Sequence, residues 1–239
     1  MIRLFIHFLP HLAALALIAL CLQLADWQST RALEKEALLL RWDDAPDRIV
    51  ETEEDIRSLP NYAHVTLSGQ FDPERHIFLD NKTRQNHPGV HVFVPFALTA
   101  IDRVILVNRG WQPWLRHDDS YPSYATPSGE VSLSGRLSPP PSVGFQLGEA
   151  QTLSTDAWPN LMTYFDLDKI RSALGPEVMD QVLLLDPSDP NHLSKDPWPR
   201  VNITPEKHRA YAFQWLAIAG AIFLIWALLT HRFYWKKDA

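Results

Sequence analysis

Cysteine is nearly absent. The chain holds one, Cys21, in 239 residues, so no intramolecular disulfide can form and the redox state of the compartment leaves no trace. Glycine is scarce as well, at nine. Phosphate-cradling loops need glycines close together, and neither a Walker loop nor a dinucleotide fingerprint occurs. CxxC and HExxH patterns are missing, and no Ser/His/Asp or Cys/His arrangement stands out locally. An enzyme is therefore not the expected class. Positive charge is also in deficit: 22 basic residues face 28 acidic ones, for a net charge of −6. Without a basic stripe to neutralise phosphates, nucleic acid is not an expected partner.

Two long apolar runs are what the chain does have. Leu4 to Leu24 carries no ionisable residue besides His7, His11 and Cys21, and Ala210 to Thr230 carries no charged side chain. Each run is about twenty residues long, which at ~1.5 Å per residue matches a hydrocarbon core of ~30 Å. The expected organisation is a membrane span at 4–25, one extramembrane α+β domain at 26–209, a second span at 210–230 and a basic tail at 231–239. The first run exceeds the 7–15 residues usual for the apolar part of a secretion signal, so it is expected to stay as an anchor. Leu20 before Cys21 does not suit a lipoprotein signal. No Arg- and Ser-rich presequence precedes the run, which favours a bacterial inner membrane. Arg232, Lys236 and Lys237 follow the second span and Arg3 precedes the first. The positive-inside rule then places both termini in the cytoplasm and the central domain in the periplasm. Trp27, Tyr211 and Trp215 would form the aromatic belt at one interface, Tyr234 and Trp235 at the other. Contact with membrane lipid follows. Two-span receptors need a cytoplasmic output domain, so with flanks this short a receptor is not the expected class.

Between the spans the pattern changes. Residues 28–42 are rich in Leu, Ala, Glu, Lys and Arg and extend the first helix into water. Asp43 to Pro60 reads as acidic turn. Val65, Leu67, Gly69 and Phe71 alternate with polar residues, as in a half-buried strand. Further strands are expected at 76–80, 90–98, 103–108, 131–137 and 182–185, with turns at 86–89 and at Arg109-Gly110 and a helix at 166–174. Short alternating strands of this kind predict a mainly antiparallel sheet or small barrel with a helix packed on it.

Several places could carry chemistry. His208 sits just outside the second run, and on a helix it shares a face with Tyr211 and Trp215. An imidazole at a membrane edge between Lys207 and Arg209 can ligate haem iron, with the basic pair meeting the propionates. On spacing alone the plainer reading, an interfacial histidine among ordinary belt aromatics, is the favoured one. His7 and His11 lie in the first span, open to a functional role or to snorkelling. Arg31 and Lys35, one turn apart beyond Trp27-Gln28, suit lipid headgroups, an anionic partner or plain solvation. Ala217, Gly220 and Ala221 permit close helix approach, to the first span or to a partner.

In order, the chain carries Trp27-Gln28, Arg31, Lys35, Gly69-Gln70-Phe71, Pro88-Gly89-Val90-His91-Val92, Asn108-Arg109-Gly110-Trp111, Trp158-Pro159 and His208…Tyr211-Ala212…Gln214-Trp215. This series, set between two terminal spans, resembles the Surfeit locus protein family of cytochrome c oxidase biogenesis factors, in a bacterial form. The likeness covers nearly the whole chain. It departs at Ala25, Val90 and Leu216, where many members carry Gly, Tyr and Phe. The resemblance implies a non-enzymatic assembly role toward the catalytic haem-copper subunit of a terminal oxidase, a respiratory chain complex IV. It implies haem a as the cofactor handled, His208 as its iron ligand, and Tyr211 and Trp215 beside it. Partner contact falls to Arg109, Gly110, Trp111, Trp27 and Gln28, and haem a synthase is a second candidate partner. A cofactor-free scaffold that steadies oxidase subunits is the alternative.

Overall fold

A computed structural model describes residues 2–43, 47–115, 120–142, 148 and 151–235, with side chains from Phe8 to Phe233. Arg3, Lys236 and Lys237, read above as the cytoplasmic flanks, His7 of the first span, and Tyr234 and Trp235 of the second belt lie outside the described side chains. The chain divides into two compact units, Met1–Asp43 with Pro199–Ala239, and Asp44–Trp198.

The first unit is a pair of helices, α1 (Ile2–Asp43) and α4 (Pro205–Trp235). No glycine interrupts α1, and its water-side half is built of strong helix formers. At the start of α4 the Thr204 hydroxyl accepts from the Lys207 N–H at 3.4 Å, and Pro205 takes the first helical position, where its missing donor costs nothing. Burial recurs at alternating steps of three and four. On α1 it falls at His11, Ala14, Ile18, Cys21, Ala25, Gln28 and Ala32, and on α4 at Pro205, His208, Ala212, Trp215, Ala219 and Ile222. This is the seam of an antiparallel coiled pair. Small side chains at Cys21, Ala25, Ala32, Ala212 and Ala219 let the two backbones approach closely. Away from the seam, Leu12, Leu15, Phe213, Phe223 and Leu224 are at least half exposed. So large an apolar surface is unstable in water and suited to lipid. Both helices are long and apolar enough to cross a membrane, as expected from the sequence.

The second unit is built on a closed ring of five strands: β2 (His64–Phe71), β6 (Glu130–Ser138), β8 (Val178–Leu185), β5 (Val104–Pro113) and β4 (Gly89–Leu98), with β2 pairing back to β4. All neighbours are antiparallel except β5 and β8. The expected small, mainly antiparallel barrel is therefore the fold. Alternation puts Val92, Val94, Phe96, Ile105, Val107, Leu133 and Leu183 in one buried cluster filling the ring. The opposite set, Phe93, Leu106, Val178 and Val182, packs under Ile170 of α3 (Leu167–Leu174). The Asp166 carboxylate caps α3 by accepting from the N–H groups of Asp168 and Lys169. Outside the ring, β3 (Ile77–Leu79) pairs with β4 and β7 (Asn160–Met162) with β3, while β1 (Arg48–Ile49) pairs with β2.

Three features depart from the sequence expectation. The acidic stretch before Pro60 contains β1 and a short helix, α2 (Glu53–Ser58), started by a reciprocal capping box between Thr52 and Asp55. Strand β7 forms where no element was foreseen. Above all, Arg109-Gly110 does not turn the chain: β5 runs through to Pro113. Arg109 and Gly110 together oppose Val92, a β-bulge with Gly110 at φ 110°. The strand bends there and continues.

Candidate functional site

His208 lies in the seam of the helix pair and is 6% exposed. Its Nδ1 stands 2.7 Å from Oε1 of Gln28, across from it on α1. Nε2 has no hydrogen-bond partner among the described residues. The next residue, Arg209, pairs with Glu36, two turns beyond Gln28 on α1, so the basic neighbours of His208 differ: Arg209 is engaged and Lys207 is exposed. Tyr211 is 48% exposed and off the seam, whereas Trp215 is half buried within it. Trp27 is 48% exposed, with the Arg31 guanidinium 5.7 Å from its ring and bonded to Glu34. The helix pair thus presents one imidazole with one engaged and one open nitrogen, beside exposed aromatic surface. A histidine held through Nδ1 can offer Nε2 to a metal, so these residues fit axial ligation of a haem iron. Deeper along the same seam, Trp226 Nε1–H donates to His11 Nδ1 at 2.8 Å. His11 is therefore paired far from His208 on α1. Ala217, Gly220 and Ala221 face away from the seam, and a side-chain carbon added at Gly220 would meet nothing within 4 Å.

In the barrel the bulge turns Arg109 into the interior, 2% exposed. Its Nε donates to Asn191 O at 2.9 Å, Nη1 to Thr126 Oγ1 at 3.0 Å and Nη2 to Ala125 O at 2.9 Å. The rings of Phe71 and Tyr124 lie 5.2 Å from the guanidinium carbon. No carboxylate reaches it at ion-pair distance among the described residues. Burial accordingly holds its pKa below the usual arginine value, and pushes the Tyr124 hydroxyl up. Gly110 is buried too, and Trp111 is half buried, its Nε1–H donating to Lys82 O at 2.7 Å beneath the Arg84 guanidinium. Of this trio only Trp111 keeps part of its side chain at the surface.

One cluster went unread in the sequence. His91 and His192 flank Trp198, with ring centroids 5.7 and 5.3 Å from it. His192 Nδ1 accepts from the Lys195 N–H at 2.8 Å, while its Nε2 is buried without a partner among the described residues. Burial, with Lys82 beside His91 and Lys195 beside His192, holds both imidazoles neutral, down to about 4. Asn108 and His91 both lie in recognisable sequence elements, but nothing local ties either of them to His192 and Trp198. Among the described residues no group of three or more His, Cys, Asp or Glu side chains could hold a metal ion.

The chain is similar to two curated proteins over most of its length. A SURF1-like protein of Monosiga brevicollis is 25% identical over 230 residues, which is 87% of this chain and 83% of that protein. A SURF1-like protein of the bacterium Rickettsia conorii is 25% identical over 223 residues, 89% of this chain and 87% of the relative. Residues 15–220 match the SURF1 family as a whole, from the first membrane-type helix through the barrel into the second. With its two terminal apolar helices and the barrel between them, the chain belongs to the SURF1 family, whose members are cytochrome oxidase assembly factors.

Proposed function

We propose that the protein aids assembly of the haem-copper catalytic subunit of a terminal oxidase by holding haem a transiently at His208 and releasing it to that subunit. The observation that carries this reading is the state of His208: Nδ1 is taken by Gln28 and Nε2 is open, at the end of an apolar helix. Haem a is the cargo, so the chain makes and breaks no covalent bond. A single histidine ligand suits hand-over, because a second strong axial ligand would trap the cargo. Tyr211 and Trp215 would flank the macrocycle, and Lys207 is placed to meet a propionate. In this reading the protein resides in a bacterial inner membrane with both termini in the cytoplasm and the barrel in the periplasm, where haem a synthase would supply the cargo. The test is direct. Purified protein co-expressed with haem a synthesis should show a Soret band that His208→Ala removes. An unchanged spectrum in that variant overturns the ligand assignment.

A cofactor-free scaffold is favoured by a different observation, the open small-residue face at Ala217, Gly220 and Ala221. Small residues there would let a helix of an oxidase subunit pack closely, with the half-buried Trp111 and exposed Trp27 as further contacts. Under this reading Ala221→Leu abolishes co-purification with oxidase subunits, while His208→Ala leaves oxidase yield normal.

A further inference from the structure

We propose that Gln28 is the positioning residue for His208: its amide oxygen holds the proton on Nδ1, so that the Nε2 lone pair is the one presented to a metal. The inference rests on the reading of His208 as the haem ligand. Its basis is a bond between side chains 180 positions apart in sequence, His208 Nδ1 to Gln28 Oε1 at 2.7 Å. An amide oxygen only accepts. The imidazole nitrogen facing it must therefore carry the hydrogen, and a neutral ring then has its lone pair on Nε2. A metal-bound histidine typically donates its other N–H in this way, which fixes ring orientation and raises ligand basicity.

The surroundings hold this geometry in place. Gln28 and His208 occupy facing seam positions, between buried Ala25 and Ala32 on α1 and next to buried Ala212 on α4. Those alanines bring the backbones close enough for a glutamine to reach the ring directly. Arg209, next to His208, pairs with Glu36 two turns beyond Gln28 on α1, which ties the two helices together outside the apolar run. Gln28 is thereby turned toward α4, while its neighbour Trp27 stays outward.

A buried polar pair could instead serve only to set the register of the two helices. The experiment separates the two roles with histidine-selective 15N NMR of the full chain in detergent, without haem, and with spectra of protein co-expressed with haem a synthesis. His208 signals are assigned by their loss in His208→Ala. Wild type should show a protonated Nδ1 and a lone-pair Nε2. Gln28→Leu should shift His208 toward the opposite tautomer and lower haem retention ten-fold or more. Gln28→Glu keeps an acceptor: it should preserve the tautomer, restore haem, and lower the midpoint potential of the bound haem by making the ring more anionic. If Gln28→Leu does not fold, the Glu variant alone decides, since a register role predicts an unchanged potential. Loss of the Soret band in His208→Ala, together with a wild-type tautomer and full haem retention in Gln28→Leu, overturns this inference and leaves the ligand assignment standing. A band that survives His208→Ala overturns the ligand assignment itself.

Discussion

Asn108 and His91 share a hydrogen bond that can run in only one sense. The Gly110 N–H donates to Asn108 Oδ1 at 3.1 Å, so the amide nitrogen is the end that faces His91 Nδ1, at 3.0 Å. His91 therefore accepts there and carries its proton on Nε2. The backbone N–H of Lys195 imposes the same tautomer on His192.

Both rings are poised against protonation, which gives the barrel an acid-sensitive stability. Unfolded histidines titrate near ~6.5, whereas the folded values lie at about 4. The unfolded chain thus binds more protons between these limits. Stability is complete above pH ~6.5 and falls as pH drops toward ~4, by up to ~1.4 kcal/mol per pH unit for each histidine. Urea denaturation followed by near-UV circular dichroism at a series of pH values should show this slope, and His91→Gln should roughly halve it. A flat profile in wild type would refute the assignment of buried neutral rings.

Gly110 and Gly129 both have positive φ, at 110° and 91°, but differ in what a side chain would meet. A Cβ at Gly110 would come within 2.8 Å of His192 Cε1 and 2.9 Å of Ser194 Oγ, and at Gly129 it would meet nothing within 4 Å. Gly129→Ala should cost about 1 kcal/mol of backbone strain alone, and Gly110→Ala at least about twice that because packing must also give way. Equal midpoints for the two variants would show that close packing at the Gly110 bulge adds nothing to the strain.

Arg109, itself buried, supplies three hydrogen bonds to part-buried groups at the barrel wall. Arg109→Met keeps much of the volume but leaves the carbonyls of Ala125 and Asn191 and the Thr126 hydroxyl without this donor. Each lost bond is worth ~0.5–1.5 kcal/mol net where water can reach the acceptor, so the barrel should lose about 1.5 kcal/mol or more. Arg109→Lys, with a point charge in place of a fork, should recover only part of that. Thermal or urea unfolding of both variants gives the ranking, and a Lys variant as stable as wild type contradicts it.

The helix pair and most of the barrel are legible because their signals are long or periodic. Leu4–Leu24 and Ala210–Thr230 announce themselves by length and lack of charge, and β2 by strict alternation of Val65, Leu67 and Phe71 with polar residues. Where a signal was local but aperiodic it was easy to miss: Thr52 and Asp55 spell a capping box, yet the acidic stretch around them reads as turn. Gly110 misled for a physical reason. A glycine with positive φ marks either a turn or a bulge, and only the register of β4 decides. The partners of the site were beyond reach, since Gln28 meets His208 and His91 meets Trp198 only through closure of the fold.

The alanine-lined interface between α1 and α4 has a consequence for assembly. Alanine against alanine looks alike at every step, so such a surface cannot by itself tell one alignment from a neighbouring one. The two polar couples, His11 with Trp226 and Gln28 with His208, sit about 25 Å apart along the helices. They act as the notches of a ruler: sliding one rod by a single turn would strand four hydrogen-bonding groups at once, so the site at His208 and the alignment of the whole hairpin are set by the same contacts.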